Sequence, residues 1–333
     1  MSLNLKELPR EEWDEHLDRF PDATPFHTRD WLECLEEVRG ANWIPLGMFR
    51  GGKLVGLAPI FSLTRGFVKL LASPLTGWAT PYLGPLCGEG ELEDALRALK
   101  CKASECRAAY LELTLTPGKE VGDLGFRKEM RTTYILDLEP DEGVMWKKLK
   151  KECRNRVRKA EKEGVQVHEV PSPEFFRTYW EMAKDVYAKS RRPPAIPLEF
   201  FVRLWDRLRP KGRIRVLVAE HKGEPIASLI SLIHRDTVYD WDGVSYLKAY
   251  KLAANNLLEW EIIRWASREG FRRYDMLGAD IPGVARFKAS FGPRLEAYPY
   301  LFLPLTLPGR LGRTLYKRGA PLVRAVQYWL RKR

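Results

Sequence analysis

The chain has 333 residues, 45% hydrophobic and 30% charged, enough material for two ordinary domains with separate cores. Its 11 tryptophans and 23 prolines argue against long disordered tracts, and no apolar run approaches the roughly 20 residues of a membrane-spanning helix. A net charge of +12 points to a polyanionic partner: nucleic acid, a phosphorylated metabolite or an acidic membrane surface. The N-terminus carries charge from Lys6 onward and lacks the apolar centre of a signal peptide, so a cytoplasmic protein is expected. The five cysteines are scattered, without a Cys-x-x-Cys pair or histidines at zinc-finger spacing. Reduced thiols and no metal site are expected.

In chain order, helices are expected at 10–20 and 28–39; in the second, Trp31, Leu32, Leu35 and Val38 fall near helical spacing behind Thr28. A hairpin turns at Gly51-Gly52, and Gly/Pro-punctuated strands run on to about Cys87. A helix at 91–107 and strands at 109–115 and 131–138 close the first half. The second half opens with one long basic helix at 141–163, then a strand at 165–170 and helices near 173–190 and 197–209. A hairpin around Lys222-Gly223, a strand at 238–243, a helix at 249–269 and strands at 272–278 and 297–305 follow.

The halves resemble each other. Each has a hairpin, a helix, a strand, a glycine turn and an aromatic-containing last strand, offset by about 170 residues, as a domain-sized duplication requires. Two similar α/β (α+β) domains side by side would form a cleft, a favoured place for a ligand. The expected boundaries are 1–138 for the first domain and 139–306 for the second. A basic amphipathic tail, with arginines and lysines among leucines, is expected over 307–333 and suits an anionic membrane surface.

Three stretches carry candidate chemistry. Within 146–162, Trp146, Leu149, Cys153, Val157 and Ala160 are spaced as one buried stripe. Lys147, Lys151, Arg154 and Arg158 line an adjacent face suited to phosphates. Along 238–243, strand alternation puts Tyr239 and Trp241 on one face and Asp240 and Asp242 on the other; a carboxylate there can accept a proton from an amine. On the following helix, Leu252, Asn256, Glu259 and Ile263 lie near one stripe. Residues 274–292 read as a strand broken at Gly278 and a short helix carrying Arg286, Phe287 and Lys288, a way to set a cation beside a ligand. The chain lacks a Gly-x-Ser-x-Gly elbow, a Walker loop, a dinucleotide-binding glycine fingerprint and an HExxH motif, which weakens hydrolase, kinase and dehydrogenase readings.

The basic segment, the 222–228 hairpin, the 238–243 strand, the 255–270 helix, the 272–278 strand and the Arg-Phe-Lys-x-x-Phe-Gly at 286–292 occur in an order that resembles the FemABX peptidyltransferases, allied to the GNAT-like acyltransferases. The segment 26–37, with Trp31, resembles the family's entry helix. The resemblance extends to about residue 305. It implies two tandem GNAT-like domains with mixed, mostly antiparallel sheets sharing a cleft. It implies transfer of an amino acid from aminoacyl-tRNA to an amine of a nucleotide- or lipid-linked peptidoglycan precursor, without a tightly bound cofactor. Lys288 matches the family lysine at the reacting ester, with Phe287 beside it; the basic helix, through Lys151, Arg154 and Arg158, matches the phosphate-binding segment. Tyr239, Trp241, Asn256 and Trp31 are the remaining substrate-contact candidates, and Asp242, water or the tRNA can take the proton. The coiled-coil arm of some members and the acetyl-CoA loop of ordinary GNAT enzymes are not evident. An acyl-CoA-dependent N-acyltransferase and a non-catalytic RNA-binding protein are the alternative readings.

Overall fold

The computed structural model describes residues 3–65, 68–88, 90–188, 194, 196–307 and 309–310. The chain divides into two compact units, Met1–Arg131 with Ala297–Arg333, and Thr132–Glu296. The expected tail falls, from 311 onward, outside the described residues. In chain order the elements are β1 (Asn4–Glu7), α1 (Trp13–Leu17), α2 (Arg29–Arg39), β2 (Asn42–Arg50), β3 (Lys53–Arg65), β4 (Val68–Ser73), β5 (Leu86–Cys87), α3 (Leu92–Glu105) and β6 (Tyr110–Thr114). Then come β7 (Arg127–Asp137), α4 (Glu142–Lys148), α5 (Lys151–Lys162), β8 (Val165–Glu169), α6 (Phe175–Ala188), α7 (Leu198–Leu208), β9 (Ile214–His221) and β10 (Glu224–His234). The last are β11 (Thr237–Ser245), α8 (Leu247–Leu252), α9 (Ala254–Arg268), β12 (Arg273–Asp275), α10 (Pro282–Lys288) and β13 (Arg294–Pro304).

Both units follow one plan. A strand and two helices lead into three antiparallel strands, and a crossover helix returns the chain to a parallel strand. In the first unit β4 and β6 are the parallel pair, connected through α3; in the second they are β11 and β12, connected through α9. The remaining neighbours within each unit are antiparallel, giving orders β1-β2-β3-β4-β6-β13 and β8-β9-β10-β11-β12-β7. The hairpin turns meet the expectation: Gly51 (φ 57°) with Gly52 (φ 82°), and Lys222 (φ 55°) with Gly223 (φ 78°), are paired left-handed residues whose twist suits a two-residue connection.

The last strand of each plan is not where the sequence order suggests. The stretch 131–138, expected to close the first domain, lies almost wholly in β7 and pairs with β12 of the second unit, from Asp137↔Arg273 to Ile135↔Asp275. The stretch 297–305, expected in the second domain, lies almost wholly in β13 and pairs with β6 of the first, from Tyr300↔Thr114 to Pro304↔Tyr110. Leu301 and Leu303 thereby enter the core of the first unit with Leu111 and Leu113. The expected boundaries at 138 and 306 are corrected accordingly.

The second unit's core joins Cys153, Val157 and Ala160 of α5 to Leu257, Leu258 and Trp260 of α9, over Leu217 of β9 and Ile226 of β10. Each such Val or Leu contributes roughly 1.5–3 kcal/mol on burial. The single helix expected at 141–163 is two helices, because Leu149 and Lys150 adopt extended backbone (ψ 138° and 150°). The break is stabilised on both sides. Lys150 N donates to Ser290 O at 2.8 Å, and Arg154 donates to the carbonyls of Lys147 (3.3 Å) and Leu149. Likewise the helix expected at 249–269 is split by Ala253, at φ 57°. Among the described residues no helix is long and apolar enough to cross a membrane.

Gly292, which follows the short helical turn after Lys288, sits at φ 84°, and a Cβ there would strike the Lys148 carbonyl at the end of α4. Gly292→Ala is therefore expected to destabilise the protein by about 2–4 kcal/mol, read as a lower urea midpoint. An unchanged midpoint would show that this close approach is dispensable.

Candidate active site

The site grows from a defect in one strand. β10 pairs with β11 through Ser231↔Asp240 and Ile230↔Asp242, which leaves Trp241 as an extra residue on β11. Such a bulge re-aims side chains. Trp241 lodges against Phe200 and Phe201 of α7, at ring-centroid distances of 6.0 and 5.7 Å. Asp242 accepts a 2.7 Å hydrogen bond from the Tyr179 hydroxyl of α6, whose ring lies 5.0 Å from Phe201. Asp240 instead meets Lys288 of α10, Oδ2 to Nζ 3.2 Å. The expected sharing of one face by Asp240 and Asp242 is thus corrected; the bulge breaks the alternation.

β11 pairs with β12 only from Thr237↔Arg273 to Tyr239↔Asp275. β12 ends there while β11 runs on to Ser245, and α10 follows a tight turn. Leu277 occupies a left-handed conformation (φ 51°), costly for a branched residue, and Asp275 Oδ1 accepts from its N–H at 2.9 Å. Lys288 Nζ donates to Leu277 O at 3.1 Å and to Met276 O. Its three ammonium protons are thereby matched by two turn carbonyls and Asp240.

The result is a cavity of about 1000 Å³ within the second unit. Its wall includes Asp240, Trp241, Asp242, Asn256, Glu259, Phe287 and Lys288, and Tyr250, Ile281 and Val284 contribute exposed apolar surface to its lining. That volume holds a ligand of drug size. An adjoining concavity of about 660 Å³ shares Glu152, Arg156, Tyr250 and Ala253 with it and adds Lys151, Asn155, Lys159 and Lys251.

The carboxyls are far from their solution behaviour. Burial pushes Asp242 up to about 6; the Tyr179 hydrogen bond opposes that, Asp240 reinforces it, and the Gly243 N–H and Lys288 oppose it. Glu259, 3% exposed, is held well above the usual carboxylate range by burial and then by Asp240, with Lys288 and Tyr274 opposing. Burial also pushes up the Cys153 thiol and the Tyr179 and Tyr239 phenols. Cys153 accepts from Asn256 Nδ2 at 3.7 Å and stays a thiol, not a nucleophile at neutral pH.

The candidates taken from the sequence separate into two groups. Lys288, Asp242, Trp241, Asn256 and Phe287 come together on the cavity wall, and Lys151 lines the adjoining basic concavity. The others have structural neighbours. Trp31 is 1% exposed in the first unit, its indole N–H bonded to Thr80 Oγ1 at 3.2 Å, so the expected substrate contact is replaced by a core position. Tyr239 is buried at 7% and does not line the cavity. Arg154 caps the end of α4, and Arg158 lies over the Trp146 ring at 5.4 Å, so neither lines the concavity. Sequence reasoning passed over Arg156 and Lys159, the Tyr179 partner of Asp242, and the Glu259–Asp240–Lys288 cluster. Glu259 left a signal, an acid beside Asn256 on a largely apolar helix.

A family model described as an acetyltransferase (GNAT) domain matches residues 147–289. The structure of FemX superposes with a TM-score of 0.68 at 14% identity, covering 94% of this chain and 99% of that one. The fold is tandem GNAT-like. L-PGS from Bacillus licheniformis superposes on this GNAT-like chain with a TM-score of 0.56, at 14% identity over 91% of this chain and 95% of that one. A tandem GNAT protein from the clavulanic acid biosynthesis pathway gives 0.55, at 12% identity over 91% and 98%. A search of curated protein sequences finds no match. The tandem GNAT-like fold is thus shared with FemX, and the parting of β11 from β12 opens the cavity of the second unit.

Proposed function

We propose that this chain transfers an aminoacyl group from aminoacyl-tRNA to an amine of a peptidoglycan precursor, using the cavity of the second unit. The observation that carries the reading is that one cavity holds both a part-buried cation, Lys288, and a partly exposed carboxyl, Asp242, tuned to about 6. The acyl ester is already activated. The amine attacks the ester carbonyl, the oxygen becomes an oxyanion, and collapse expels the ribose oxygen of the tRNA. Asp242 is the group suited to accept the amine's proton and return it to the leaving oxygen, since its ionised form dominates at neutral pH. Lys288 contributes its positive field to the oxyanion, a fixed charge that acts without giving up its own hydrogen bonds.

The adjoining concavity supplies Lys151, Arg156, Lys159 and Lys251 for the phosphates of the tRNA end or of the acceptor. Arg156→Glu with Lys159→Glu is expected to weaken tRNA binding and to reduce its salt slope by about one for each phosphate no longer neutralised, measured by filter retention over a salt series. An unchanged slope would move the polyanion elsewhere. A second reading, acyl transfer from acyl-CoA, is supported by the GNAT acetyltransferase match at 147–289. Transfer of radiolabelled amino acid from charged tRNA to a peptidoglycan precursor, run beside labelled acetyl-CoA with the same acceptor, distinguishes the two. Label arriving only from acetyl-CoA overturns the first.

A further inference from the structure

Glu259 is a buried acid on the cavity wall. Its carboxyl is flanked by Asp240 and by the Tyr274 hydroxyl, each placed to hydrogen-bond with it. The residue is 3% exposed, yet it lines the cavity beside Asp240 and Lys288. An ionised buried carboxyl needs more donors than one hydroxyl supplies, and this one borders space that a ligand enters. Lys288 pairs with Asp240 alone, so an ionised Glu259 beside them would call for a second positive charge.

We infer that Glu259, with Asp240 beside it, binds the free α-ammonium of the donor's aminoacyl group. This rests on the aminoacyl-tRNA reading above. An ammonium supplies three N–H donors, enough for Oε1 and for a lone pair on Asp240. The attacking amine is the other ammonium source, but it is the wrong occupant. Contact with buried carboxylates holds an amine protonated and abolishes its nucleophilicity, whereas the donor's α-amine takes no part in the bond change. The attacking amine belongs beside Asp242, whose side chain is partly exposed and able to take a proton. Because burial and Asp240 favour the protonated form of Glu259, arrival of the cation shifts it toward ionisation, with release of a proton. The cluster thus selects donors with an unblocked amino group over acetyl or N-acylated ones.

The test uses total bacterial tRNA charged with the full set of amino acids, and the same pool after chemical N-acetylation. Filter retention by the full-length protein is expected to be about tenfold or more tighter for the free aminoacyl pool. Glu259→Gln keeps the shape of the neutral carboxyl but cannot become an anion; it is expected to bring the two affinities together by weakening only the free aminoacyl pool. Equal wild-type affinities, or a preference that survives Glu259→Gln, overturn the inference while leaving tRNA-dependent transfer intact. Retention of neither pool removes the tRNA donor and the inference together.

Discussion

Lys288→Ala is expected to lower the melting temperature by roughly 6–12 °C, corresponding to about 3 kcal/mol in a unit of this size. The cost arises because the side chain is 11% exposed and its ammonium neutralises Asp240 at 3.2 Å while bonding two carbonyls of the turn before α10. Its removal strands a carboxylate near Glu259 and frees the left-handed Leu277. Saturating turnover is expected to fall about a hundredfold or more, the usual consequence of losing a stabiliser of the oxyanion. The two effects separate with Lys288→Arg. A guanidinium keeps the charge but cannot reproduce the compact three-bond geometry, so much of the turnover is expected to return with a smaller part of the stability. Near-normal saturating turnover in Lys288→Ala would remove the lysine from the chemistry and leave it as a clamp on the turn.

Asp242→Asn is expected to reduce transfer about 10²–10⁴-fold and to abolish the acidic limb of the rate profile. The wild-type limb has its midpoint at about 6, where the carboxyl ionises. Dividing wild-type by variant rates at each pH removes the titration of the acceptor amine, and the ratio should rise through that midpoint and level off. Tyr179→Phe removes the hydrogen bond that favours the ionised carboxyl, so its limb should move up by about one pH unit. Stability follows with a definite sign. The folded carboxyl holds its proton up to about 6 whereas the unfolded one releases it near its ordinary value of 3.8, so the folded protein loses stability as pH rises between them. Asp242→Asn should lack that decline, leaving it relatively more stable than wild type at neutral pH than in acid. A flat rate ratio across pH 5 to 8 would exclude Asp242 as the proton acceptor.

Hairpins, helices and the two-unit plan were legible because they are written locally. The glycine pairs at 51–52 and the Lys222-Gly223 turn, and the stripes of α5 and α9, need no distant information. Lys288 and Asp242 stood out as a cation after a glycine-broken strand and a carboxylate on an acid–aromatic strand. What escaped depends on contacts between segments far apart in the chain. The Trp241 bulge is set by pairing with Ser231 and Ile230, and one inserted residue inverts every facing prediction beyond it. Arg154 and Arg158 have the charge and spacing of a phosphate face, but the break at Leu149-Lys150 turns one into a cap and gives the other a tryptophan to lie on. Glu259 was visible as an acid among apolar neighbours, yet only Asp240 and Lys288, brought from two other elements, make it a cluster.

The pairing of β13 with β6 has a consequence for how the protein is made. Thr114 emerges from the ribosome long before Tyr300, so the sheet of the first unit has an open edge at β6 throughout synthesis of the second. Leu111 and Leu113 wait for Leu301 and Leu303 to complete their core. The N-terminal half therefore reaches its native state after the C-terminal half, against the vectorial order of translation, and its slow step is the capture of a strand from the far end of the chain. During that interval β6 is a template for any strand that arrives first, which makes the nascent first half the aggregation-prone part of the molecule.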